Sequence, residues 1–344
     1  VAELRGGGIQ GRHREKVRLL DNTYDSIISP ENLLEAWKEF IRGKHKRKDV
    51  QEFELHLADD LLSINRELVS KTYRHSHYEA FNISDPKPRN IHKARVKDRV
   101  VHRAIYRILY PFFDRLFIAD SYSCRNNKGV HKALERFQSF ARKASQNHTR
   151  TVWALKCDVR KFFASIDQNI LRHILEKHIP DQDILNLLSE IIGSFHTKEG
   201  KGLPLGNLTS QLLVNVYMNE FDQFMKHQVN AKYYIRYADD FVIFSKNKEQ
   251  LKAILLQISI FLESRLGLTL HPDKVFIKTV ASGVDFLGWT HFSDHRVLRT
   301  VTKNRAFRNM REKEGKQETV ESYLGLMKHG NAYKLRKRIE NSYP

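Results

Sequence analysis

The stretch Tyr233-Tyr-Ile-Arg-Tyr-Ala-Asp-Asp-Phe-Val-Ile-Phe244 decides how the rest of the chain is read. Aromatic and β-branched residues on both sides of two adjacent acids predict a β-hairpin, with strands over 233–237 and 241–244 and with Asp239 and Asp240 at its turn. Two carboxylates this close repel each other unless a cation neutralises them, and hard oxygen donors of this kind suit Mg²⁺. An isolated Asp-Asp pair is more often a plain turn cap, so a metal reading needs support from elsewhere in the chain.

That support is Thr151-Val-Trp-Ala-Leu-Lys-Cys-Asp158, a short apolar segment ending in an acid. An Asp in this position on its own is commonly a helix cap. Delivered by a strand beside the hairpin, Asp158 instead completes a three-acid cluster around which two divalent ions could be bridged.

Composition agrees with a large folded protein that meets a polyanion. The 344 residues allow two or three subdomains, and 59 Lys plus Arg against 40 Asp plus Glu leave a formal net charge of +19. With 41% hydrophobic and 10% aromatic residues there is material for a core, which excludes reading the charge as a disordered basic tail. The two cysteines, Cys124 and Cys157, exclude a disulfide framework and fit a reducing compartment. No apolar run reaches the ~18 residues of a membrane span, and 1–14 has no apolar signal core. It also lacks an initiator Met, so the chain is expected to begin inside a longer one.

Working outward, Ser29-Pro30-Glu31 predicts a capped amphipathic helix through Leu34, Trp37 and Ile41. Asp85-Pro-Lys-Pro-Arg-Asn-Ile-His-Lys-Ala-Arg-Val-Lys-Asp-Arg99 reads as a proline-punctuated basic hairpin leading into a buried helix. After Asp158, Phe162 and Phe163 follow at a fixed spacing; in an extended segment Phe162 is core and Phe163 points the other way. Gly202-Leu-Pro-Leu-Gly-Asn-Leu-Thr-Ser-Gln211 opens a helix with Leu213, Val216, Tyr217, Phe221, Phe224 and Met225 on one face, its polar residues serving as caps. Gly267-Leu-Thr-Leu-His-Pro-Asp-Lys-Val275 and Val284-Asp-Phe-Leu-Gly-Trp289 come next, and then a basic helical end. His75 and His77, without neighbouring Cys or His partners, read as surface residues.

Taken in order, these boxes resemble the reverse transcriptases, most specifically through Tyr237-Ala238-Asp239-Asp240 and Asp158-x-x-x-Phe162-Phe163, over roughly Ile91 to Trp289. The resemblance implies an α+β right-hand polymerase fold: N-terminal helices and fingers over 1–150, a palm with helices on one face of its sheet over 151–290, and a basic helical thumb over 291–344. It implies two Mg²⁺ per site, replaceable by Mn²⁺, at Asp158, Asp239 and Asp240, with Asp158 and Asp239 the chief holders and Asp240 in support. Arg89 and, more loosely, Lys87 would grip the incoming triphosphate. Phe163 would be the gate against a 2′-hydroxyl, and Leu205, Gly206 and Gln211 would line the templating pair. Lys274 would protonate the leaving pyrophosphate unless it is a plain surface lysine. Tyr237, Phe286, Gly288 and Trp289 would meet primer and template, with Trp289 as ordinary core the competing reading. Arg305 and Arg308 would track the duplex phosphates.

Within the family, Leu205 and the Gly-Asn-Leu-Thr-Ser-Gln form of the loop resemble the diversity-generating retroelement enzymes, relatives of group II intron and retron enzymes that miscopy template adenines. An apolar Leu205 in place of an amide removes a hydrogen-bonding group near the nascent pair. That subclass implies template RNA, deoxynucleotides, an RNA–DNA duplex and a small basic oligomeric accessory protein as partners. It also implies a cytoplasmic, prokaryotic or phage-encoded setting without a membrane. A retron or phage-defence enzyme, or an RNA-binding scaffold with a dead site, are the alternatives.

Overall fold

The computed structural model describes residues 18–84 and 88–343. Helices α1 (Tyr24–Ile28), α2 (Pro30–Ile41), α3 (Lys48–Leu55) and α4 (Leu57–Val69) precede a hairpin of β1 (Glu79–Ile83) and β2 (Arg89–Lys93). Then come α5 (Val96–Asp114), α6 (Val130–Ala144), β3 (Trp153–Asp158), α7 (Phe162–Ser165), α8 (Gln168–Glu176), α9 (Gln182–Gly193) and α10 (Leu208–His227). The chain continues through β4 (Tyr234–Tyr237), β5 (Asp240–Ser245), α11 (Lys248–Leu266), β6 (Phe276–Thr279), β7 (Val284–Phe286), β8 (Trp289–His291) and β9 (Arg296–Leu298). It closes with α12 (Thr300–Glu312), α13 (Gln317–Met327) and α14 (Tyr333–Ser342). The result is an α+β fold with three antiparallel sheets. No helix among the described residues is long and apolar enough to cross a membrane.

The central sheet has the order β4-β5-β3-β6. Its strands alternate between two cores. Leu155, Cys157, Tyr234, Phe241 and Ile243 join the larger one with α5, α8, α10 and α11, while Ala154, Ile235, Val242 and Phe244 join a second with α6, the β7–β9 sheet and the last three helices. Helices therefore cover both faces, where one was expected. The reason is in the strands themselves: Phe241-Val-Ile-Phe244 is apolar on both sides, and a strand of that kind is buried twice. The outer edge of β4 is closed by backbone, with Arg236 N donating to Asp120 O at 2.9 Å and Tyr122 N to Arg236 O at 3.0 Å.

Several local expectations need correcting. Ser29 caps α2 as read, its hydroxyl accepting from Asn32 N at 3.2 Å, but the buried face runs through Leu33, Ala36, Trp37, Phe40 and Ile41, leaving Leu34 exposed. α10 is not one-faced: it threads the larger core and buries Thr209, Ser210, Asn215 and Asn219 as well as its apolar residues. Its Asn207 makes no cap hydrogen bond. Residues 162–165 are a helical turn rather than extended chain, started by Lys161 in the left-handed region. His77 is exposed as read, but His75 is half-buried, its ring stacking on Tyr78 and on the buried His102 with centroids 4.6 and 5.1 Å apart.

Candidate active site

Strand pairing brings the acids together from distant parts of the chain. Asp158, the last residue of β3, lies opposite Asp240, the first of β5, and Val159 N donates to Asp239 O at 3.2 Å. The turn is thus Ala238-Asp239, with Asp240 inside the strand rather than at the bend. Ala238 takes a positive φ of 56°, a conformation that costs an L-residue energy and must be held from outside.

Arg236 holds it. This guanidinium is wholly buried and donates to Ala238 O at 3.0 Å, to Ser121 Oγ at 3.0 Å, and to both oxygens of Asp222 at 2.8 and 2.6 Å. Asp222, on α10, also accepts from Tyr234 OH at 2.6 Å. A buried ion pair gives little net stability, but its fixed geometry ties turn, helix and edge segment into one unit. Sequence reading overlooked both residues. The signal was an arginine inside an otherwise apolar strand, which has to find a buried partner.

The electrostatics match crowded acids. Burial, and then the neighbouring Asp158, hold the Asp239 carboxyl above its ordinary range. Burial pushes Asp240 up to about 7, against the opposing pull of Lys156. Each acid except Asp239 has a lysine on it. Lys274 Nζ donates to Asp158 Oδ1 at 2.7 Å, carried there by a loop in which His271 N donates to Asp158 O at 2.7 Å. Lys156 Nζ lies 2.9 Å from Asp240 Oδ1 as an ion pair, out of line for a hydrogen bond.

Among the described residues no three His, Cys, Asp or Glu side chains are arranged to hold a metal ion. Asp240, the supporting acid of the sequence reading, faces Lys156, and Asp158 faces the more exposed Lys274. The donors that remain still fit magnesium, which is usually held by one or two carboxylates with water and substrate phosphate making up the rest. Asp158 and Asp239 would supply those two carboxylates.

The remaining candidates sort by position. Arg89 is exposed at the start of β2, and Lys87 lies outside the described residues. Phe163 is half-buried against the larger core beside the buried Phe162. Leu205 and Gly206 are docked on β2: His92 N donates to Leu205 O at 3.0 Å, and a Cβ on Gly206 would come within 2.8 Å of Ile91. Asn207 completes the junction, its Nδ2 donating to His92 O at 2.8 Å and its Oδ1 accepting from Ala94 N at 3.3 Å. That is why it does not cap α10. Gln211 sits half-buried on the first turn of that helix, and Tyr237 is half-buried just before the acid turn.

The β7–β8 hairpin turns on Leu287 and Gly288, both at positive φ, as a two-residue turn between right-twisted strands requires. Phe286 and Trp289 are each 1% exposed and fill the second core, so Trp289 is core, and neither side chain can reach a primer. On α12 Arg305 is half-buried, while Arg308 is exposed with Glu312 3.7 Å away.

Comparison with known proteins agrees with this arrangement. The profile of the reverse transcriptase (RNA-dependent DNA polymerase) family matches residues 84–291. Protein YkfC of Escherichia coli K12 is 27% identical over 296 residues, covering 73% of this chain and 77% of its own length. The group II intron-encoded protein LtrA of Lactococcus lactis is 23% identical over 278 residues, covering 61% of this chain and 44% of its own. Nuclear intron maturase 1 of Arabidopsis thaliana is 28% identical over 92 residues, 27% of this chain and 12% of its own. The chain thus spans less than half the length of the intron proteins it matches. With more than half its residues inside the family profile, and with the paired acids at one end of adjoining strands, the chain belongs to the reverse transcriptase family.

Proposed function

We propose that this chain is an RNA-directed DNA polymerase that extends a DNA 3′ end by two-metal nucleotidyl transfer. The observation that carries the reading is the meeting of Asp158 with Asp239 and Asp240 at one end of the central sheet. In this reading 1–150 forms N-terminal helices and fingers, 151–290 the palm and 291–344 the thumb. Two Mg²⁺ ions held through Asp158 and Asp239 would supply activation of the primer hydroxyl and charge neutralisation on the triphosphate. Arg89 at the fingers hairpin adds charge against the triphosphate, and Phe163 borders its sugar. Lys274, which donates to Asp158, would in this reading give a proton to the leaving pyrophosphate. Asp239→Asn is expected to abolish Mg²⁺-dependent primer extension on an RNA template while RNA binding by filter retention stays near wild type. Retained extension rejects the assignment.

The finer reading is the error-prone enzyme of a diversity-generating retroelement, working with a cognate template RNA and a basic accessory protein. Its support is Leu205, apolar and fixed by its carbonyl to β2, so that no side-chain amide stands at this point of the loop. Leu205→Gln is expected to lower misincorporation opposite template adenines, read by sequencing the cDNA. An unchanged adenine error rate removes this account of fidelity.

A further inference from the structure

The two lysines on the acids differ in what they can give up. Lys274 comes from a short loop, with a side chain 39% exposed, and has open solvent to move into. Lys156 has none. Its side chain is 9% exposed, and it stands on the central strand β3 between Val242 of β5 and Phe276 of β6. It also shares a sheet face with Asp158, two residues on, and with Asp240 across the ladder.

A lysine is almost never buried this deeply unless something negative holds it there, because desolvating the ammonium costs several kcal/mol. The negative partner is Asp240, at 2.9 Å. Asp240 in turn is fixed in register, with its Oδ1 enclosed although the side chain as a whole is 21% exposed. Without Asp240, Lys156 would be a buried, uncompensated charge.

We propose that Lys156 is a resident counter-ion of the acid cluster, a positioning residue that holds the Asp240 carboxylate and offsets its charge so that the three acids can be assembled before any divalent ion arrives. This rests on Asp158 and Asp239 being the metal-holding pair. The third acid then differs in role from the other two. Asp240 is occupied by protein, while Asp158 and Asp239 remain for exchangeable cations. The sign of the coupling to metal follows, since removing a fixed positive charge should strengthen the attraction for Mg²⁺ even as the metal-free fold weakens.

The test is a double-mutant cycle on the whole chain, read by thermal melting in EDTA and across a Mg²⁺ titration. In EDTA, Lys156→Met is expected to lower the melting temperature by roughly 5 °C. Lys156→Met/Asp240→Asn should regain most of that loss. In Mg²⁺, Lys156→Met should gain more degrees than wild type and reach its half-maximal shift at a several-fold lower concentration. A lysine that merely fills space would move neither the cycle nor the titration. If Lys156→Met costs as much in the Asp240→Asn background as in wild type, or gains no more from Mg²⁺ than wild type does, the proposal fails. Should Lys156→Met not be recoverable as soluble protein, recovery of the double variant supports the pairing, and its loss as well overturns it. If the cycle shows coupling while Mg²⁺ stabilises none of the four proteins, the counter-ion stands and the metal reading of Asp158 and Asp239 is what falls.

Discussion

Two antiparallel hairpins carry opposite charge, and they hold it in opposite ways. In β4–β5 every flanking side chain that fixes the acids is buried: Tyr234, Ile235, Arg236, Phe241 and Val242 are all fully enclosed. In β1–β2 the residues of β1 are exposed or at most half-buried, with Phe81 at 46%, and the hairpin is tied down through the backbone of β2 to Leu205 and Asn207. Acids that must sit at fixed separations need the rigidity of a packed core on both sides. The cation proposed to meet a flexible, highly charged triphosphate does not, and exposure leaves it free to follow its partner.

The two hairpins should differ most in stability. Phe241→Ala leaves a cavity under the acid hairpin and is expected to cost about 3–5 kcal/mol in urea unfolding, whereas Phe81→Ala should stay within about 0.5 kcal/mol. Similar losses at the two sites would break the distinction. Next comes pH. In the fold the Asp240 carboxyl is raised from 3.8 to about 7, so between those values the native state holds a proton that the unfolded chain has released. Its contribution is complete below about pH 4 and is lost as pH rises through about 7. Subtracting the melting profile of Asp240→Asn from that of the wild type, both in EDTA, should reveal that decline. A difference that grows with pH reverses the assignment. The smallest effect on stability is expected at Arg89→Ala, which should leave the melting temperature unchanged while raising the KM for deoxynucleotides about tenfold, as loss of one charged hydrogen bond would. A shift in melting temperature without a change in KM would make Arg89 structural.

Much of this was legible beforehand because it is local. A run of aromatic and β-branched residues interrupted by Ala238-Asp239-Asp240 specifies a hairpin, and a short apolar segment ending at Asp158 specifies a strand with an acid at its tip. What misled was chemistry that depends on a partner. Asn207 looks like a helix cap but spends its amide on β2, where it bonds the backbone at His92 and Ala94. Trp289 looks equally suited to core or primer, and only the packing of Gly330 against its ring, so close that a Cβ there would collide, shows that it is enclosed. Helical residues 162–165 follow from Lys161 turning left-handed, which no spacing of Phe162 and Phe163 announces.

The sequence by itself determined the basic character of the protein, its family boxes and the identity of the three acids, since charge, periodicity and turn chemistry act over a few residues. Tertiary structure alone decided which acids stand available and which is taken. Lys156 and Lys274 reach Asp240 and Asp158 only once β5 and the Pro272–Lys274 turn are folded against β3, and Asp222 finds Arg236 only when α10 packs against the sheet. An ion pair needs its partners within about 4 Å, so it belongs to the folded neighbourhood and not to the order of residues along the chain.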